Sequence, residues 1–128
     1  MRYGLLALVS ATLLVLAGWF AKVPVSASEK PKPYALIFGT VFGPDGRSVY
    51  GVKVRIRRAD QKKAHWELYS DHAGEFAQRV PAGKADYVVW ADLKGFKSPP
   101  GKHLKPGTEV TIHIQKDERA DLGLHLIW

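Results

Sequence analysis

From Tyr34 to Trp128 the chain is cut about every eight to twelve residues by turn chemistry. The clearest cuts are Gly43-Pro44-Asp45-Gly46, Asp71-His72-Ala73-Gly74 and Pro81-Ala82-Gly83-Lys84. Glycine supplies the positive φ of tight turns, proline pre-sets φ, and aspartate bonds its own downstream amides. The pieces between the cuts have strand length, and none after residue 33 keeps a 3.6-residue apolar period. Period two replaces it. In Gly51–Arg58 the residues Val52, Val54 and Ile56 alternate with Lys53, Arg55 and Arg57, which marks a half-buried strand. Further strands are predicted over 34–42, 64–70, 75–80, 85–93, 108–116 and 121–128. In the third of the seven, Trp66 and Leu68 face inward, and Glu67 faces the basic side of its neighbour. The run Tyr87-Val88-Val89-Trp90 is apolar on both phases, so its strand is expected to be central and Trp90 to lie in the core. Seven short strands predict an all-β, Greek-key β-sandwich over residues 34–128.

Before this domain the composition changes. Arg2 precedes a run that is almost wholly apolar from Leu5 to Phe20, and Val25-Ser26-Ala27 offers small residues for a peptidase. Basic start, apolar stretch and small-residue site are the three parts of a secretory signal, here expected as an N-terminal helix cleaved after Ala27. The same run is near the lower length limit of a spanning helix, so an uncleaved anchor is the alternative. Both place the domain outside the cytoplasm, in periplasm, cell envelope or medium. Residues 28–33, Ser-Glu-Lys-Pro-Lys-Pro, form a polar linker. Cleavage would remove Arg2 and Lys22 and leave 17 basic against 12 acidic residues, a formal charge of +5. A surplus of that size suits contact with anionic surfaces and does not indicate a nucleic-acid binder. The chain has no cysteine, so its stability must come from the apolar core.

Three turn-and-strand units stand in a recognisable order. Gly39-Thr40-Val41-Phe42-Gly43-Pro44-Asp45-Gly46 leads into Val49-Tyr50-Gly51-Val52-Lys53-Val54. Ser70-Asp71-His72-Ala73-Gly74-Glu75-Phe76 follows, and then Val80-Pro81-Ala82-Gly83 before Tyr87-Val88-Val89. This pattern resembles the carboxypeptidase regulatory-like domain, a transthyretin-like (prealbumin-type) sandwich, over Phe38 to about Gly95. Ser70 replaces a frequent threonine, and Lys84-Ala85-Asp86 lengthens the corner before Tyr87. The resemblance implies a prealbumin-like fold and an accessory, non-enzymatic role. Fold alone supplies no reaction.

The residues offer no catalytic set and imply no cofactor. His72 and Glu75 spell a zinc-ligand spacing, but they fall on a turn that the hairpin already explains. His113 and His125 would approach each other if the last two strands paired, with His65 or His103 as a third ligand; solvated surface is the favoured reading, and no metal is assigned. A transthyretin-like hydrolase of 5-hydroxyisourate would need a histidine early in the domain and a Tyr-Arg-Gly-Ser tail. Here the first domain histidine is His65 and the chain ends Leu124-His125-Leu126-Ile127-Trp128. The most function-like feature is the basic stripe Lys53, Arg55, Arg57, Arg58, Lys62 and Lys63. It reads either as a solvated face that blocks aggregation or as a contact for an anionic envelope polymer or lipid headgroups. An envelope protein is the other partner class. The alternative function is carbohydrate binding by exposed aromatics, with Phe96 between lysines as the candidate and Trp90 and Trp128 as possible companions.

Overall fold

The computed structural model describes residues 32–128, and in them the alternation resolves into seven strands. They are β1 (Tyr34–Phe42), β2 (Lys53–Arg58), β3 (Trp66–Tyr69), β4 (Glu75–Pro81), β5 (Ala85–Asp92), β6 (Val110–Ile114) and β7 (Arg119–His125). Among the described residues there is no helix. The signal or anchor expected over 1–27 and the first part of the expected linker lie outside the described residues.

Two sheets form the sandwich, one in the order β4-β1-β7 and one in the order β3-β2-β5-β6. Among sequential neighbours only β2–β3 and β5–β6 share a sheet. Every other connection crosses between layers, which is the Greek-key arrangement of such sandwiches. β1 pairs antiparallel with β4 and parallel with β7. That parallel pairing carries β7 two residues further back than its alternation indicates, because Leu36 already donates to the carbonyl of Glu118 and Arg119 opposes Leu36. Strand directions gather the β1–β2, β3–β4 and β5–β6 loops at one end of the sandwich. Tyr34 enters at the other.

The inward phases meet as predicted. Val52, Val54, Ile56, Tyr87, Val89 and Ile114 from one sheet pack against Ile37, Val41, Val80 and Leu124 from the other, all buried. Trp66 and Leu68 are half-buried at the margin of this core. The hairpin at residues 71–76 shows how sequence sets local structure. Asp71 Oδ1 accepts from the amides of Ala73 and Glu75, each at 2.9 Å, and Gly74 turns the chain at φ 75°. Phe76 then enters the core opposite Gly39, whose missing side chain makes room for the ring. Ser70 beside this turn is a buried polar residue with both needs met: its hydroxyl accepts from Val52 N–H at 2.9 Å and donates to the Val49 carbonyl at 2.8 Å.

Tyr87 is the exception. Its ring is fully buried against Trp66, and its hydroxyl has no protein partner among the described residues. Burial pushes its pKa up, as it must for a phenol held away from water. Tyr87→Phe is therefore expected to raise stability by about 1 kcal/mol, since the unpaired hydroxyl is removed without leaving a cavity. Paired urea melts of the two proteins check this; a clear loss of stability would mean that the hydroxyl is bonded.

Candidate functional site

The side of the four-stranded sheet that faces away from the core carries the chemistry. On β2 it presents Lys53, Arg55 and Arg57, as the alternation requires, and on β3 it presents Glu67 and Tyr69. The register of β5 places Asp92 opposite Lys53, Trp90 opposite Arg55 and Val88 opposite Arg57. Trp90 thus belongs to the outward phase and is half-buried there, not in the core where its apolar neighbours suggest it. The reason is register: once Tyr87 and Val89 point inward, Val88 and Trp90 must point outward.

The basic stripe divides into parts with different surroundings. Lys53 Nζ lies 2.9 Å from Glu67, which also sits 3.8 Å from Arg55. The bond to Glu67 raises the pKa of Lys53, and the reciprocal bond lowers that of Glu67. Arg55 Nε donates to Asp92 at 2.8 Å. Arg57 donates to the carbonyls of Ala59 and Gln61 at 3.2 and 3.0 Å and so folds the β2–β3 loop back on itself. Arg58 is on the other phase, at the strand end, 3.6 Å from Asp60. Lys62 and Lys63 are exposed in the loop, and no carboxylate pairs with them among the described residues.

Two hollows open along this face. One, of about 290 Å³, is lined by Trp90, Ala91, Arg57, Lys62, Pro106, Gly107 and Glu109. The other, of about 320 Å³, is lined by Phe96, Tyr69, Lys53, Asp92, Lys94, Lys97, Gly51 and Gly95. Phe96 is half-buried and Tyr69 is 61% exposed, so the second hollow has one aromatic rooted in the core and one open to solvent. Arg55, bonded to Asp92 and opposite Trp90, stands between the two. Trp128 lies elsewhere, with Lys102 Nζ 4.6 Å from its ring centre. Sequence reasoning missed Tyr69 and Glu109 as lining residues and misplaced Trp90. The signal for Trp90 was its odd-even relation to Tyr87, visible only once the phase of that strand is known.

Asp92 organises the middle of the face. The amide of Lys94 donates to its Oδ1 at 3.0 Å, and this bond, followed by the one from Arg55, holds its carboxyl below the ordinary carboxylate value. A depressed folded-state pKa means stability that is present above the unfolded value, about pH 4, and lost as pH falls through the folded value. Asp92→Asn is expected to be less stable than the parent at neutral pH and to converge with it as pH falls below the folded value. Urea midpoints measured across that range test it; parallel curves for the two proteins would contradict it.

The histidines do not assemble. β6 and β7 belong to different sheets, so His113 and His125 are not paired neighbours. His113 Nδ1 instead meets Asp86 Oδ1 at 2.7 Å, a carboxylate partner that the sequence did not reveal, and His125 stacks on Phe42 with ring centres 5.1 Å apart. His72 stacks on Tyr50 at 4.1 Å. Among the described residues no three His, Asp or Glu side chains converge as a metal site.

No protein-family description and no curated protein matches this sequence. Solved structures do resemble the fold. The minor pilin GBS52 of Streptococcus agalactiae aligns with a TM-score of 0.54 at 16% identity over 75% of this chain and 45% of its own. The shaft pilin spaA of Lactobacillus rhamnosus GG gives 0.53 at 11% identity over 73% and 49%. An (S)-allantoin synthase gives 0.55 at 11% identity over 80% and 44%. The chain spans less than half the length of each. At such identities the likeness establishes the β-sandwich fold. It does not establish the carboxypeptidase regulatory-like family, and the same fold serves pilins and an enzyme.

Proposed function

We propose that this chain is an exported, non-enzymatic binding module that holds an anionic polymer of the cell envelope against the outer face of its four-stranded sheet. One observation carries the reading. Lys62, Lys94 and Lys97, which line the two hollows, are exposed and have no carboxylate partner among the described residues. Lys53, Arg55 and Arg57, by contrast, are engaged within the protein and give the face its shape. Free cations flanking a braced, mixed-charge sheet make an anion-contacting surface without immobilising many side chains. Export rests on the sequence of residues 1–27, and the non-enzymatic reading draws on the likeness of the fold to pilin domains.

The test is retention on immobilised heparin. The protein is expected to bind at about 50 mM salt and to elute well below about 0.5 M, since exposed charge contacts are screened over this range. Reversing Lys62, Lys94 and Lys97 to glutamate should abolish retention while leaving the urea midpoint nearly unchanged. Retention that ignores salt, or that survives the triple reversal, would overturn the reading.

A further inference from the structure

We infer that the polymer is an acidic polysaccharide built from carboxylated sugars, and that Trp90 is the stacking platform of its inner subsite. The inference rests on the anionic-polymer reading and names the ligand class of that same face.

Both hollows combine three kinds of group. The first sets the Trp90 ring beside the cations Arg57 and Lys62 and the carboxylate Glu109. The second sets Phe96 and Tyr69 beside Lys53, Lys94 and Lys97 and the carboxylate Asp92. A flat anionic membrane or a polyphosphate would gain from the lysines but would press like charge against the unpaired Glu109 and leave the aromatic rings without a partner. A polymer of uronic acids meets every group. Its carboxylate answers the lysines, its hydroxyls donate to Glu109, and the apolar face of its ring lies on an aromatic side chain. Glu109 is exposed, and no hydrogen bond or ion pair holds it among the described residues, so its acceptors are available.

Spacing supports one ligand across both hollows. Trp90 and Asp92 are two residues apart on the same side of β5, about 7 Å along the strand. Arg55 lies beside both, held by its bond to Asp92. Consecutive sugars of one chain therefore pass over a continuous aromatic and cationic track, and two weak subsites add through linkage.

The test uses the full-length protein with two polycarboxylates, polygalacturonate and polyglutamate of matched charge, titrated calorimetrically at low salt. Polygalacturonate should bind at least about tenfold more tightly, because polyglutamate offers the charge without rings or hydroxyls. Trp90→Ala should cut polygalacturonate affinity about tenfold and leave polyglutamate unaffected. Glu109→Ala, on an exposed residue whose loss leaves the fold intact, should weaken polygalacturonate and tighten polyglutamate. That opposite sign is the decisive readout, since removal of a merely repulsive carboxylate would tighten both. Equal affinity for the two polymers, or tightening of both by Glu109→Ala, overturns the inference and leaves the anionic-polymer reading standing. If neither polymer binds, the inference falls, and salt-dependent heparin retention alone decides whether the anionic-polymer reading falls with it.

Discussion

Phe76→Ala is expected to lower the unfolding free energy by about 3–5 kcal/mol, a large share of what a domain of this size possesses. The ring is 4% exposed and lies on β4 directly across from Gly39 of β1. Nothing else fills that place, because β1 carries no side chain there. Truncation would leave a cavity between the first strand and its partner that backbone hydrogen bonds prevent from collapsing. The reverse change shares the same space: a Cβ built on Gly39 meets ring atoms Cζ, Cε1 and Cε2 of Phe76 well inside contact distance. Gly39→Ala alone should cost about 1–3 kcal/mol. In the double variant the two losses should sum to less than their separate values, because the collision disappears with the ring. Urea denaturation of the four proteins measures this, and strict additivity would show that the glycine and the ring do not depend on one another.

Gly107→Ala should have the next largest effect, about 2–4 kcal/mol, for a reason that lies in the backbone. Gly107 has φ 73°, and a Cβ there would collide with the carbonyl oxygen of His125, which belongs to a strand and cannot rotate away. Just before it, Lys105 and Ile127 exchange hydrogen bonds of 2.7 and 3.0 Å that tie the long β5–β6 loop to the chain after β7. The substitution should release this tie first. Amide exchange at Lys105 and Ile127 is expected to accelerate more than exchange in β2 or β5. Pro106, Gly107 and Glu109 also wall the hollow beside Trp90, so polymer affinity should fall in parallel. Unchanged protection at those two amides would contradict the account.

Much of this was legible from residue order. The strand set followed from turn chemistry and alternation, and the hairpin from Asp71, Gly74 and Phe76, because those signals act within a few residues. The pairing of β1 with β7 was not legible. The residues involved, such as Leu36 and Arg119, are far apart in sequence and carry no local mark of each other. Trp90 was misplaced for a related reason: four consecutive apolar residues hide the phase of a strand, and only pairing with Arg55 shows it. The stripe of basic residues was visible, but the separation of the braced Lys53, Arg55 and Arg57 from the free Lys62 and Lys63 depends on Glu67, Asp92 and loop carbonyls that converge only in the fold.

The parallel union of β1 and β7 also governs how the domain bears load. β1 starts at the end of the sandwich where the chain enters, and β7 finishes at the opposite end. A pull applied between the chain entering at Tyr34 and the chain leaving at His125 would slide one strand lengthwise along the other. The ladder bonds between them lie across that direction and would share the tension simultaneously, whereas a peeled hairpin opens one bond at a time. A domain wired this way resists tension applied between the start of its first strand and the end of its last.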